Sequence, residues 1–264
     1  MWRTNGTSWE RVADGGWGDA SNGGIAALQV FAGNLYAATN NQNTGTEIWR
    51  SPTGNTNTWT QVNPDGFGAG GGTSGDQSMD TFGGHLYVGL SRNGAAELWR
   101  TSNGAMWTPA LASGPGPNNT HVSAMAEFGG QFYIGLRNGV TGGEVWRASD
   151  GLHWAPVVTG GLGEPNNQRP YGLIAYGGQL YLVFANLVTG AEIWRSPTGN
   201  AGSWTQVADA GWGDSDNGLA DYFDKAAAVF GNRLYVGTEN WTNGGEVWMM
   251  RMKDVYLPLV TRSP

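Results

Sequence analysis

The sequence predicts an all-β chain, a five-bladed β-propeller with four-stranded blades. Three observations predict it. The segment Glu47-Ile48-Trp49-Arg50 returns as Glu97-Leu98-Trp99-Arg100, Glu144-Val145-Trp146-Arg147, Glu192-Ile193-Trp194-Arg195 and Glu246-Val247-Trp248-Met249, with tryptophans 50, 47, 48 and 54 residues apart. A second mark lies upstream of each, as Leu35-Tyr36, Leu86-Tyr87, Phe132-Tyr133, Leu180-Tyr181 and Leu234-Tyr235, at spacings of 51, 46, 48 and 54. Two marks that drift together define five copies of a repeat of about 49 residues, and units of this length bury their faces by stacking on one another. Each copy also divides into four short apolar runs separated by turn residues, which is the pattern of a propeller blade.

In the first copy, residues 27–31 form strand A, 35–39 strand B, 47–51 strand C and 59–62 strand D. The A–B turn is Ala32-Gly33-Asn34, and it recurs as Gly83-Gly84, Gly129-Gly130, Gly177-Gly178 and Gly231-Asn232. Gly and Asn tolerate the positive φ of tight hairpins. An aromatic residue precedes each turn: Phe31, Phe82, Phe128, Tyr176 and Phe230. Strand A is rich in small residues, as in Ala226-Ala227-Ala228, which suits the crowded axis of a ring with few blades. The Trp of strand C is placed to pack between blades.

The chain opens with a strand-D copy, Trp9-Glu10-Arg11-Val12, and its last full repeat ends on the strand-C copy Glu246–Met249. The N-terminal strand D is therefore expected to join the C-terminal blade and close the ring, which removes open sheet edges. Trp2-Arg3 is a surplus strand-C copy that competes with Trp248 for one place. Residues 1–250 read as one domain. Residues 251–264 read as a tail, either an appendage or, through Val255–Val260, an extra edge strand.

Composition narrows the function. The chain has 264 residues and a net charge of −7, with 45 Gly, 14 Trp and no Cys. So many aromatic residues exclude a disordered chain. The acidic balance, with Lys225 and Lys253 as its two lysines, argues against nucleic-acid partners, which need clustered cations. No run of 18 or more apolar residues is present, so no spanning helix is expected, and residues 1–6 show no apolar segment of the signal-peptide kind. Without cysteine there are no disulfides, thiolate nucleophiles or Cys-ligated zinc. Few lysines, many Asn, Gly, Trp and Thr, and no Cys fit a secreted or surface protein of a bacterium.

The C–D turn carries a further mark. Ser149-Asp150-Gly151-Leu152-His153-Trp154 resembles the Asp-box of sialidases and other propellers. Thr101–Trp107 and Thr4–Trp9 are degenerate copies, and Ser51-Pro52-Thr53-Gly54 and Ser196-Pro197-Thr198-Gly199 longer variants. To about Met249 the chain resembles secreted bacterial and archaeal propellers with such repeats, and its tail is similar to the ends of secreted Chloroflexota proteins. The resemblance implies a fold, with the Asp capping backbone groups and the Trp packing in the blade, and not an activity. Six-bladed sialidases use an arginine triad, a nucleophilic tyrosine and an acid pair, and this five-bladed chain shows no matching arginine set.

Strand direction alternates, so the B–C loops and D–A crossings share one face, where ligand sites are expected. The crossings read Gly16-Trp17-Gly18-Asp19, Gly66-Phe67-Gly68-Ala69, Gly114-Pro115-Gly116-Pro117, Gly161-Leu162-Gly163-Glu164 and Gly211-Trp212-Gly213-Asp214, with asparagines after several of them. Aromatic rings, carboxylates and amides on one face suit sugar binding, because a flat ring stacks on a pyranose and paired polar groups hold adjacent hydroxyls. The candidate ligand set is Trp17, Asp19, Asn167, Arg169, Tyr171, Trp212, Asp214 and Trp241, with Glu164 beside the Asn167–Arg169–Tyr171 cluster. The competing reading makes Gly-aromatic-Gly a turn whose ring plugs the gap between blades. The strand-C Glu, present in all five units, reads as a backbone hydrogen-bonding fixture, and Arg50, Arg100, Arg147 and Arg195 as residues that snorkel or pair with such carboxylates. Asp19, Asp214 and Asp216 match no calcium-loop spacing. His85, His121 and His153 show no ligand spacing, and no Gly-x-Ser-x-Gly elbow occurs. The expectation is a non-catalytic, lectin-like binding module with glycan or surface-protein partners, monomeric and without cofactor. A structural or interaction propeller is the alternative, and a degenerate glycoside hydrolase comes third.

Overall fold

The computed structural model describes residues 1–73, 78–111, 116, 118–218 and 227–251. Ala226, most of the Gly114–Pro117 crossing and the tail from 252 lie outside these residues. The chain is a five-bladed β-propeller, its antiparallel sheets set in a ring with strands in the order A-B-C-D. Blade 1 comprises Gly24–Phe31, Asn34–Asn40, Ile48–Ser51 and Thr60–Gln61. Blade 2 comprises Ser78–Phe82, His85–Arg92, Ala95–Thr101 and Thr108–Leu111. Blade 3 comprises Asn119–Phe128, Gln131–Asn138, Glu144–Ala148 and Ala155–Val158. Blade 4 comprises Arg169–Tyr176, Gln179–Ala185, Glu192–Ser196 and Thr205–Gln206. Blade 5 is described in three strands, Ala227–Phe230, Arg233–Gly237 and Val247–Arg251.

The A–B turns are two-residue hairpins, for example Phe82↔His85 and Tyr176↔Gln179. Both central residues have positive φ, as at Gly83 (54°) and Gly84 (74°), the type I′ geometry that matches strand twist. The core lies between blades. Tyr36, Ile48, Leu86 and Leu90 join blades 1 and 2, and Leu98, Val122, Met125 and Phe132 join blades 2 and 3. Tyr133, Val145, Leu180 and Phe184 join blades 3 and 4. Tyr181, Ile193, Leu234 and Val236 join blades 4 and 5. Each such side chain contributes about 1.5–3 kcal/mol by burial, so stacking of blades, not any single sheet, holds the ring.

Strand-B tyrosines add a tie. The hydroxyls of Tyr36, Tyr87 and Tyr133 press on the C–D turns of the next blade, where a Cβ at Gly104, Gly151 or Gly199 would collide with them. In those turns Asp150 Oδ1 accepts the backbone N–H groups of Leu152 and His153, both at 2.9 Å. Asn103 and Asn5 do the same for Met106 and Ser8. Trp154 Nε1 then donates to Ala110 O of the preceding blade at 3.1 Å, as Trp107 Nε1 does to Val62 O at 3.0 Å.

The ring seam differs from expectation. Strand Trp9–Arg11 pairs with Trp2–Thr4, in register Trp2↔Arg11. Strand Val247–Arg251 pairs with Arg233–Gly237, in register Val236↔Trp248. No pairing among the described residues joins Trp9–Arg11 to the last blade. Both strand-C copies therefore keep a place: Trp248 completes the C position of blade 5, and Trp2 stays with its own strand D. This hairpin sits against blade 1 as an outer half-blade, since Arg3 Nη1 donates to Asn55 Oδ1 at 2.6 Å just as Arg147 Nη1 does to Asn200 Oδ1 at 2.6 Å. Leu28 and Val30 of blade 1 and Val229 and Phe230 of blade 5 are exposed.

Candidate functional site

The loop face is built on a polar relay that repeats with the blades. In blade 4, Asn167 Nδ2 donates to Glu192 Oε2 at 2.7 Å and to Gly161 O at 3.0 Å. Trp194 Nε1 donates to the same Glu192 oxygen at 2.9 Å, and Asn186 Nδ2 donates to Asn167 Oδ1 at 3.0 Å. Asn186 Oδ1 in turn accepts the N–H groups of Val188 and Thr189. The chain crossing–Asn–Glu–Trp–Asn–loop recurs from Asn22 through Glu47 and Trp49 to Asn41, and from Asn217 through Glu246 and Trp248 to Asn240. Blade 3 repeats it with Asn119, Glu144, Trp146 and Asn138. In blade 2, Arg92 replaces the Asn, its Nε donating to Glu97 at 2.9 Å. The strand-C Glu is thus a fixture for side chains rather than for backbone. Among the described residues no strand-C arginine forms an ion pair with it, and Arg100 and Arg147 reach the next blade's C–D turn, at Asp150 O and Asn200.

Four of the crossings form single left-handed turns. Gly16-Trp17, Gly66-Phe67, Gly161-Leu162 and Gly211-Trp212 all have φ between 53° and 61°. A non-glycine residue in this region carries about 1–3 kcal/mol of strain. Its side chain offsets this on the strand-C tryptophan: Trp17 stacks on Trp49 at 4.9 Å and 12°, Phe67 on Trp99 at 4.7 Å and 13°, and Trp212 on Trp248 at 5.0 Å and 4°.

The sequence-derived candidates therefore fall in separate places. Trp17 and Trp212 are packing rings in different blades, each half-buried. Asn167 is fully buried in the relay. Asp19 and Asp214 brace loops: Asp19 accepts Ser21 N at 2.8 Å and Asn41 Nδ2 at 3.0 Å, and Asp214 accepts Asp216 N at 2.9 Å and Asn240 Nδ2 at 3.1 Å. The backbone N–H of Ser21 holds the Asp19 carboxyl below the usual carboxylate range, and that of Asp216 does the same for Asp214. Glu164 braces its own crossing through Asn166 N at 2.8 Å. Tyr171 is buried under the Arg169 guanidinium, whose carbon lies 4.4 Å from the ring centroid. Its ring lines a largely apolar central cavity of about 350 Å³ formed by strands A of blades 2 to 5.

Trp241 is the exception. Its indole is 90% exposed and stands at a recess of about 180 Å³ lined by Leu187, Ser215, Asp216, Gly218, Glu239 and Thr242. The loop that carries it is rigid at its base, because Asn240 Oδ1 accepts Thr242 N at 3.0 Å and Asn243 N at 2.7 Å. Glu239 Oε2 is buried and has no hydrogen-bond partner among the described residues. The position after the relay asparagine is Gln42, Gly139, Leu187 and Trp241 in blades 1, 3, 4 and 5. A fixed scaffold thus presents a different side chain each time, and only blade 5 presents an aromatic ring there. Sequence reasoning missed the relay; it places Glu239 on the same B–C loop as Trp241 but does not bring Asp216, weighed only against a calcium loop, to its side. The recurrent interval of 25 residues from Asn22 to Glu47, Asn119 to Glu144 and Asn167 to Glu192 was the available signal.

No protein-family model matches the chain, and no curated protein matches its sequence. Solved structures with similar folds include a β-xylosidase/α-arabinofuranosidase of glycoside hydrolase family 43 from a compost metagenome. It is 10% identical, with a TM-score of 0.48, over 87% of this chain and 90% of that one. The Bacillus subtilis arabinanase Arb43A is 13% identical, with a TM-score of 0.49, over 86% and 92%. A Bacillus licheniformis family 43 endo-arabinanase is 14% identical, with a TM-score of 0.45, over 84% and 91%. At such identities and TM-scores they transfer no activity to this chain.

Proposed function

We propose that this chain is a non-catalytic, carbohydrate-binding propeller of a secreted or cell-surface protein, and that a sugar ring binds against Trp241 on the loop face. The observation that carries the reading is an exposed indole held on a braced loop, beside a recess lined by the acidic residues Asp216 and Glu239. The indole supplies a flat apolar surface for the C–H face of a pyranose, and Glu239, Asp216 and Thr242 accept or donate to its hydroxyls. Covering roughly 60–100 Å² of the ring at about 25 cal/mol/Å² gives about 1.5–2.5 kcal/mol, or roughly ten- to sixty-fold in Kd. Glu164 and Asp214 each brace a different crossing, so neither is free to act at the Trp241 recess.

A glycan array followed by calorimetry of the hits tests this. Trp241→Ala is expected to weaken binding at least about tenfold, and Trp241→Phe to retain most of it. Absence of any saccharide binding at millimolar concentration, or equal affinity in Trp241→Ala, would overturn the proposal. One observation favours a second reading, an interaction propeller: Leu28, Val30, Val229 and Phe230 are exposed at the ring seam. Protein capture lost on Phe230→Asp, with saccharides inert, would favour that reading.

A further inference from the structure

We infer that the ligand at Trp241 is a linear oligosaccharide whose next unit lies in the neighbouring recess between blades 3 and 4. The inference rests on the proposed sugar-binding role of Trp241. The Trp241 recess lies between the B–C loop of blade 4 and the crossing and B–C loop of blade 5. A second recess, of about 120 Å³, lies one blade earlier and is lined by Arg137, Asn166, Gln168, Leu187 and Val188 among others. The two are equivalent by the repeat. Asn166 precedes the relay Asn167 as Asp216 precedes Asn217, and Val188 follows Leu187 as Thr242 follows Trp241.

Leu187 lines both recesses, so the two adjoin at this side chain. Leu187 is itself 71% exposed, leaving the way over it open. Pockets that enclose drug-sized ligands start at about 300 Å³, and each recess alone falls well short of that volume while the two together reach it. Their chemistry is complementary along one chain of sugars. Asp216 and Glu239 accept hydroxyl protons in one recess, and Arg137, Asn166 and Gln168 donate to ring and hydroxyl oxygens in the other.

Calorimetry on the full chain with xylose, xylobiose and xylotriose, and with glucose, cellobiose and cellotriose, tests this. Affinity in one series is expected to rise about tenfold or more from one unit to three. Val188→Trp, which fills the second recess from an exposed position, and Gln168→Ala are expected to remove that gain and leave monosaccharide affinity unchanged. Saccharide binding that depends on Trp241 yet shows no gain with length would overturn the two-recess inference alone. The same holds for a gain that survives both variants. No binding in either series or to any saccharide of the array would overturn it together with the proposed function.

Discussion

Glu192→Ala is the sharpest perturbation of the relay. One oxygen of this nearly buried carboxylate accepts both Asn167 Nδ2 at 2.7 Å and Trp194 Nε1 at 2.9 Å. Removing it leaves two donors in a dry site, each costing about 1–3 kcal/mol, with little water able to replace the acceptor. The expected loss is about 3–5 kcal/mol. Glu192→Gln keeps an acceptor at the same point and removes only the charge, so about 1–2 kcal/mol is expected, the difference between charge-assisted and neutral bonds. Glu246 makes the equivalent bonds to Asn217 and Trp248 in blade 5, but it is exposed, so Glu246→Ala is expected to cost much less. Urea unfolding followed by tryptophan fluorescence measures all three. Equal losses for Glu192→Ala and Glu246→Ala, or a loss under about 1 kcal/mol for Glu192→Ala, would refute burial of the relay as the source of its strength.

Three more perturbations follow from the same geometry. Gly151→Ala places a Cβ at φ +68° against the Tyr87 hydroxyl and is expected to cost about 2–4 kcal/mol in thermal unfolding, part of it recovered by adding Tyr87→Phe. Trp17→Ala removes stacking on Trp49 and contact with Trp59; a loss of about 2–3 kcal/mol is expected, with saccharide affinity unchanged in calorimetry. Asp19 and Asp214 have folded-state pKa values depressed below the unfolded value. Their stabilisation is therefore present above the unfolded pKa of about 4 and is lost as pH falls through the folded values. Melting temperatures measured from pH 5 down to 2.5 should fall less steeply in an Asp19→Asn, Asp214→Asn double variant, and parallel curves would contradict this.

The architecture was legible because it is written in local, periodic features. The paired turns Gly83-Gly84 and Gly177-Gly178, and the Tyr and Trp marks, each report short-range geometry that a single repeat already specifies. The site was less legible because its partners are far apart in the chain. Trp17 and Trp241 look alike as residues, yet one lies on Trp49 and the other has open solvent above it. What separates them is the left-handed turn at Gly16-Trp17, which aims the ring inward. Asn167 read as a sugar ligand because amides on loops serve that role, whereas its partner Glu192 stands 25 residues on in the next strand C. The seam of the ring stays open in the sequence for a related reason. A strand-D pattern shows that Trp9–Arg11 pairs with a strand C, but not which of two copies it takes.

The most direct test of sugar binding at Trp241 is a ¹⁵N-edited NMR titration of the indole N–H signals with a saccharide trimer. The account predicts that the Trp241 signal, assigned by its loss in Trp241→Ala, moves on saturation while those of Trp49, Trp194 and Trp248, held by glutamates, stay in place. A Trp241 signal that does not move, with shifts at Trp17 or Trp212 instead, would contradict it.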